Sequence, residues 1–360
     1  TEKQGGSDVR ANSTLATPLR GGDDYVLRGH KWFLSAPMCD AFLVLAQALG
    51  GLTCFLMPRR TPDGALNGFR LMRLKDKLGD WSNASSEIEF DAAHARRVGE
   101  EGRGVATILE MVMLTRLDCM LGSAGLMRMA LSQALHHCRH RQAFGKALIE
   151  QPLMRNVLAD LAIESEAATA LAFRVARAVD AAPRDPAEAA FARVATAIGK
   201  FWICKRATAF VNEAQECLGG NGYVEESLLP RLYRQAPLNS IWEGSGNIQC
   251  LDVLRALARE PETGDALLAE LDAASGVDGD FDAALATLRN VLSADTPEAG
   301  ARHLVERMAL LLQAATLLRA RNPLAATFCH SRLAPTRGLA FGSLPSGIDA
   351  GLPISRAGTT

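Results

Sequence analysis

Near Gly104 the chain changes hydrophobic period, and that change constrains its fold more than any other feature. "GVATILEMVMLTRLDCMLGSAGLMRMALSQALHHCRH" runs without proline, its apolar side chains recurring at helical spacing. "QPLMRNVLADLAIESEAATALAFRVARAVD" and "PAEAAFARVATAIGKFWICKRATAFVNEAQECL" repeat the pattern, each with its proline at the start, where a helix tolerates it. A further run follows Glu243 through Ile248, Leu251, Leu254 and Arg255, and Ser245 or Asn247 offers a side chain to cap it. Four such stretches joined by short loops predict a four-helix bundle over residues 99 to 258.

Residues 1 to 98 follow a different rule. "DDYVLRGHKWFLSAP", "AFLVLAQA", "LTCFLMPR" and "SSEIEFDAA" alternate with period two and are separated by Gly-Asp and Gly-Gly pairs, which predicts a barrel-like β domain. After the bundle, residues 259 to 330 read as a helical extension, and 331 to 360, rich in Gly, Pro and Ser, as an irregular tail. Charge is uneven there: 260 to 298 carry ten acids against Arg289, whereas 299 to 360 carry seven arginines against two acids.

The net charge of −1, with 22% of residues charged, gives no overall signature of a polyanion-binding protein. The apolar stretch 43 to 57 contains two glycines and falls short of the roughly 20 residues a membrane span needs. Eight cysteines are scattered with no C-x-x-C pair, as expected of buried thiols in a reducing compartment, and the expected location is the cytoplasm. His136, His137, Cys138 and His140 lie close in sequence but lack a further ligand at sensible spacing, so no metal site is expected.

Several short motifs each admit two readings. "GGSD" (5 to 8) is a turn, or a nest of N–H groups for an anion. "HKWFLS" (30 to 35) is strand core, or an indole against a flat aromatic ligand with Ser35 at its edge. "RHRQAFGK" (139 to 146) suits a helix C-terminus, or a phosphate clamp built on Arg141. "QECLGGNGY" (215 to 223) is a glycine-rich helix cap on its own. "NSIWEGSGNIQCLDVLR" (239 to 255) sets Glu243 between an indole and glycines, where something can approach it closely.

In their order, these motifs resemble the acyl-CoA dehydrogenase family, flavoproteins with an N-terminal helical domain, a middle β domain and a C-terminal four-helix bundle. The family's motifs correspond here to "TEKQGGSD", "KWFLS", "RQAFG", "QECLGGNGY" and "WEGSGN". "LKDKLGDWSNAS" and "EESLLPRLYRQAPLNSIWEGSGNIQCLDVLR" are similar to its AidB-type, DNA-alkylation-response branch. The chain opens inside the first motif, so the family's N-terminal helical domain is expected to be missing from it.

The resemblance implies FAD as cofactor and a short or branched acyl-CoA as substrate, with the electron acceptor unspecified. Thr1, Gly6 and Ser7 would hold the flavin pyrimidine end and the pyrophosphate; Trp32 would lie against the isoalloxazine, bordered by Phe33, Leu34 and Ser35. Arg141, Gln215, Gly219 and Gly220 would bind the adenosine diphosphate half of an FAD seated mainly in a neighbouring copy, within a homotetramer. Glu243 would take the α-proton, with Trp242, Gly244, Ser245 and Asn247 around the flavin. Some family members carry the base on the first bundle helix just before an arginine; here that position is Thr115, before Arg116, and threonine cannot serve. The branch also implies non-specific association with duplex DNA, for which Arg255, Arg302, Arg307, Arg319 and Arg321 are the candidates, and an alternative role as a DNA-protective flavoprotein with vestigial activity.

Overall fold

The computed structural model describes residues 1–20, 22–293, 297–335 and 338–358, and its contacts divide the chain into two compact units, Thr1–Leu114 and Thr115–Thr360. Among the described residues no helix is long and apolar enough to cross a membrane.

Six strands build the first unit: β1 (Leu15–Pro18), β2 (Asp24–Ser35), β3 (Ala41–Ala48), β4 (Gly51–Pro58), β5 (Phe69–Leu74) and β6 (Ser85–Val98). Because β2 pairs with both β1 and β6, the order β2-β1-β3-β4-β6 closes on itself and leaves β5 at an edge. Closure turns the period-two alternation into an interior that buries Tyr25, Leu27, Phe42, Val44, Phe55, Met57, Ile88 and Phe90 together. Each such side chain contributes about 1.5–3 kcal/mol by leaving water.

A bulge in β2 re-aims its middle. Lys31 faces Ile88 and Leu34 faces Ser86, so one extra residue is inserted between them. Lys31 and Leu34 are both buried, whereas the consecutive aromatics Trp32 and Phe33 are not. The Lys31 ammonium meets Glu2 Oε1 at 2.6 Å and the Leu45 carbonyl at 2.8 Å. Glu2 also accepts from the backbone N–H and the hydroxyl of both Ser13 and Thr14. Burial alone would raise the Glu2 carboxyl, but hydrogen bonds from Lys31, Thr14 and Ser13 outweigh it and hold the group well below the usual carboxylate range.

Beyond the barrel the chain is almost entirely helical: α1 (Gly104–His140), the hairpin of β7 (Gln142–Ala143) and β8 (Lys146–Ala147), α2 (Pro152–Ala181), α3 (Pro186–Glu216), α4 (Leu229–Gln235), α5 (Gly246–Arg259), α6 (Pro261–Asp272), α7 (Gly279–Leu292), α8 (Ala301–Arg319), α9 (Ala325–Arg332) and α10 (Gly351–Ala357). Asp185 caps α3, accepting from the Ala187 and Glu188 N–H groups ahead of Pro186. Met120, Met127, Leu131, Leu135 and Cys138 line the buried stripe of α1 against α2 and α3. The fourth expected long helix is the 14-residue α5, since Pro261 cannot continue it and starts α6 instead.

The extension is not a separate body. α8 is buried along Leu304, Met308, Leu311, Leu312, Ala315 and Leu318 and shares one continuous core with α1, α2 and α3. The expected irregular tail also differs from the structure: α9 reaches Arg332, and α10 buries Pro353, Ile354 and Ala357. Gly, Pro and Ser exclude a long helix, but a few apolar anchors suffice to dock a segment. Leu344 is buried with its N–H on Asn156 Oδ1 at 3.1 Å, and Phe341 meets Phe210 edge-on at 5.7 Å. The tail's Thr336, Arg337, Thr359 and Thr360 lie outside the described residues.

Candidate active site

Between a short turn at Leu238–Ser240 and the start of α5, the backbone enters the left-handed region twice in succession, at Glu243 (φ 56°) and Gly244 (φ 92°). Glycine tolerates this, but a glutamate there is uncommon and has to be held by its surroundings. Every carbonyl of the stretch is so held. Trp242 O accepts from Lys200 Nζ at 2.8 Å, Glu243 O from Arg116 Nε at 3.2 Å and Gln249 Nε2 at 3.1 Å, and Gly244 O from Lys200 at 2.9 Å and Gln249 at 3.0 Å. A Cβ at Gly244 would stand 2.6 Å from Gln249 Nε2, so that position has no room for a side chain.

With its carbonyls turned inward, Glu243 projects a half-buried carboxylate, and the Thr115 hydroxyl of α1 donates to its Oε2 at 2.7 Å. Thr115, the position expected not to serve as base, thereby orients the Glu243 carboxylate. Next to it Arg116 is buried and bridges the turn to Asp252 of α5 at 2.7 Å, and Asp252 is also paired with Arg193 of α3 at 3.0 Å. The Trp242 indole N–H donates to Asn239 Oδ1 at 3.0 Å, which fixes the ring beside the acid. Neither expected cap operates: Ser245 occupies the N-cap of α5 without a side-chain cap hydrogen bond, and Asn247 is exposed within its first turn. The helix start is set by the pinned turn instead.

In the first unit the residues expected at the flavin ring lie together. The Trp32 N–H donates to the Thr1 carbonyl at 2.7 Å, which ties "TEKQGGSD" to β2, and Gly6 (φ 52°) leaves open space over the turn before Ser7. The two aromatic residues differ in availability. The Lys75 ammonium sits 3.2 Å from the Trp32 ring centroid and 4.6 Å from that of Phe33, with Lys3 4.7 Å from Trp32; Trp32 is half-buried and Phe33 is 52% exposed. Leu34 does not fit its expected role, because the bulge sends its side chain into the barrel core; Ser35 is exposed.

Arg141 and the glycine turn stand together at the other end of α1. Cys138 Sγ lies 3.9 Å from the Cys217 carbonyl, so the C-terminal ends of α1 and α3 are adjacent. Arg141 is exposed, and so are Gly219 (φ 57°) and Gly220, with open space where a Cβ would be. Gln215 plays a different part from the expected one: it is buried and its amide donates to the Gly222 carbonyl at 2.7 Å, bracing the turn from within. Phe144, the aromatic of "RQAFG", is 97% exposed at φ 52° at the tip of the β7–β8 hairpin, next to Gly145 at φ 81°. A bulky aromatic both strained and fully exposed is a functional signal. Thr115 and His140 are 25 residues apart on one helix, roughly 37 Å.

Three of the candidate DNA arginines have side-chain partners within the fold. Arg319 pairs with Glu270 at 2.6 Å, Arg255 lies 3.7 Å from Asp252, and Arg307 donates to His303 at 2.9 Å. Arg302 and Arg321 are exposed.

Comparison with known proteins agrees with this arrangement. The acyl-CoA dehydrogenase middle domain matches residues 1–93, and the C-terminal domain of the same family matches 102–258. AidB of Escherichia coli (strain K12) is 51% identical over 339 residues, covering 94% of this chain and 62% of that protein. Acyl-CoA dehydrogenase family member 11 of Caenorhabditis elegans is 37% identical over 72% of this chain and 44% of its own length. The crystal structure of C. elegans ACDH-11 in complex with C11-CoA superposes with a TM-score of 0.86 at 31% identity, covering 95% of this chain and 64% of that one. The chain thus spans less than two thirds of these relatives' lengths. A barrel and helical unit of this topology, a pinned acid between α1 and α5, and matches to two domains of one family lead to a single conclusion: the chain belongs to the acyl-CoA dehydrogenase family of oxidoreductases.

Proposed function

We propose that this chain carries the catalytic portion of an FAD-dependent acyl-CoA dehydrogenase in which Glu243 removes the proton α to the thioester carbonyl. The observation that carries the reading is the strained Glu243 backbone, with its carbonyls locked and its carboxylate presented beside the Thr115 hydroxyl. The Cα–H bond breaks, its proton passes to a Glu243 carboxylate oxygen, and its electron pair forms the Cα–Cβ double bond as hydride leaves Cβ. FAD supplies the acceptor for that hydride. Thr115 orients the carboxylate, and Arg116, Gln249 and Lys200 keep its backbone from relaxing.

The residues present fit FAD. Phe33 and Ser35 are exposed on β2, the Trp32 N–H ties that strand to Thr1, and the turn at Gly6 and Ser7 is open. Arg141, Phe144, Gly219 and Gly220 suit the pyrophosphate and adenine end. Because these groups are separated from Glu243 by most of the length of α1, one FAD cannot reach both in the same copy. Two copies sharing each FAD meet that constraint, and we take the homotetramer as the working assembly. An acyl-CoA is the substrate class; the C. elegans relative's complex with C11-CoA makes medium chains worth testing beside short and branched ones.

Anaerobic mixing of the flavin-loaded protein with butyryl-, isovaleryl- and undecanoyl-CoA tests the reading. Flavin absorbance should bleach with at least one thioester, and Glu243→Gln should slow bleaching by about 10²–10⁴-fold while keeping the oxidised spectrum. A Glu243→Gln protein that bleaches at the wild-type rate removes Glu243 from the role.

A further inference from the structure

We infer that Lys200 is a positioning residue for Glu243: its ammonium, bonded to three carbonyls of the turn, keeps the acid's backbone in its left-handed form. The inference rests on the reading of Glu243 as the base. Lys200 lies in the middle of α3 and is 1% exposed. Its Nζ donates to Asn239 O at 3.0 Å, Trp242 O at 2.8 Å and Gly244 O at 2.9 Å, so all three of its hydrogens are used on one turn.

Core filling does not account for it. An apolar side chain of the same length would occupy the space without the cost of taking an ammonium out of water, and among the described residues no carboxylate is bonded to Lys200 to offset that cost. The charged and titratable groups facing it are Cys204 on its own helix, Cys119 and Arg116 on α1, and Glu243. Burial pulls its pKa below the ordinary lysine value, and the Arg116 charge adds to that. The nearby Glu243 charge opposes that shift, the three carbonyls hold the ammonium directly, and the hold is mutual. Trp242 O and Gly244 O flank the Glu243 peptide, so fixing both at one nitrogen leaves Glu243 little freedom but the conformation with φ of 56°. If Lys200 were apolar, these carbonyls would turn toward water and Glu243 would relax to an ordinary conformation, taking its carboxylate away from Thr115.

Lys200→Met, with Lys200→Gln as a milder variant retaining two donors, separates positioning from packing. Amide hydrogen exchange read by mass spectrometry should show residues 239 to 246 opening at least about tenfold faster in Lys200→Met, with α2 and the barrel unchanged. In the flavin-loaded protein the bleaching rate should fall about tenfold to a hundredfold, with the thioester concentration for half-saturation little altered. Wild-type exchange in 239 to 246 of a folded Lys200→Met or Lys200→Gln protein overturns the inference, and so does failure of both variants to fold, which would make Lys200 a general core residue. The exchange readout does not depend on chemistry. If Glu243→Gln bleaches normally while Lys200→Met loosens the turn, the base assignment fails and the positioning contact stands.

Discussion

Replacing Glu2 by glutamine should destabilise the barrel unit far more than a one-atom change suggests. Glu2 is 1% exposed, and its two carboxylate oxygens receive the Lys31 ammonium, two hydroxyls, two backbone N–H groups and the Gln4 amide. A glutamine can keep one acceptor face, but its NH₂ then points at N–H and O–H donors, or at the Lys31 ammonium if it turns round. The larger loss is charge: Lys31, 6% exposed, would be left without a counter-ion, and breaking a buried pair this way costs about 3–5 kcal/mol. That is a large share of the roughly 5–15 kcal/mol that stabilises a domain. Native-state amide exchange across a urea series, read in β4 and β6, gives the unit's own opening free energy. Lys31→Met should recover much of the loss when combined with Glu2→Gln, because the pair is then removed together. Acidification supplies an internal check. The Glu2 carboxyl is depressed in the folded state, so its contribution is full above the unfolded carboxyl value of about 4.3 and is lost as pH falls below it. The gap between wild type and Glu2→Gln should therefore narrow below about pH 4. A cost under about 1 kcal/mol at pH 7, or a gap that widens with acid, would refute the reasoning.

Three other perturbations have defined outcomes. Phe144→Gly relieves a left-handed aromatic and should stabilise the hairpin by about 1 kcal/mol while lowering the flavin retained on purification; unchanged flavin content would remove Phe144 from the cofactor site. Arg332→Met leaves Asp160 without its cation while Glu164 keeps Arg206, should cost about 3 kcal/mol, and should expose residues 341 to 357 to limited proteolysis; a protease-resistant tail would show that its apolar anchors suffice. Duplex DNA binding by residues 299 to 360 should be weak, with a log–log salt slope of about −3, since among the described residues Arg302, Arg307 and Arg321 are left after Arg319, Arg332 and Arg356 pair with carboxylates; a slope near −6 would mean that all seven arginines engage phosphate.

The change of period at Gly104 placed the barrel and the first three long helices because each carries one clean period over its whole length. The same signal placed α5, which ends at Arg259, but it missed α10 in the tail. Glu260-Pro261 breaks the apolar run after α5 by removing an N–H donor, although the apolar spacing continues into α6. In the tail, three or four apolar side chains supply the docking while Gly, Pro and Ser set the composition, and a composition argument weighs all residues alike. The uneven charge after residue 260 is met in part inside the fold, as in Glu270 with Arg174 and Arg319, and Arg332 with Asp160 and Glu164, pairings that a count of charges along the string does not show.

At the site, what was legible was the proposed base, and what was not was its support. Glu243 stands out in sequence because a lone acid among Trp, Gly and Ser has few structural uses. Lys200 sits within "ATAIGKFWIC" as one cation in an apolar run, but nothing in the string says that its partners are carbonyls some forty residues away. Gln249 and Arg116 are similarly silent, since backbone acceptors leave no trace in residue identity. The bulge in β2 is hidden for a related reason: one inserted residue shifts which of Trp32, Phe33 and Leu34 faces outward, and only the partner strand fixes the count. A catalytic side chain is chosen for its chemistry and so can be read from its identity, whereas the residues that hold it in a strained conformation act through main-chain groups common to every residue, and become visible only when the chain has folded.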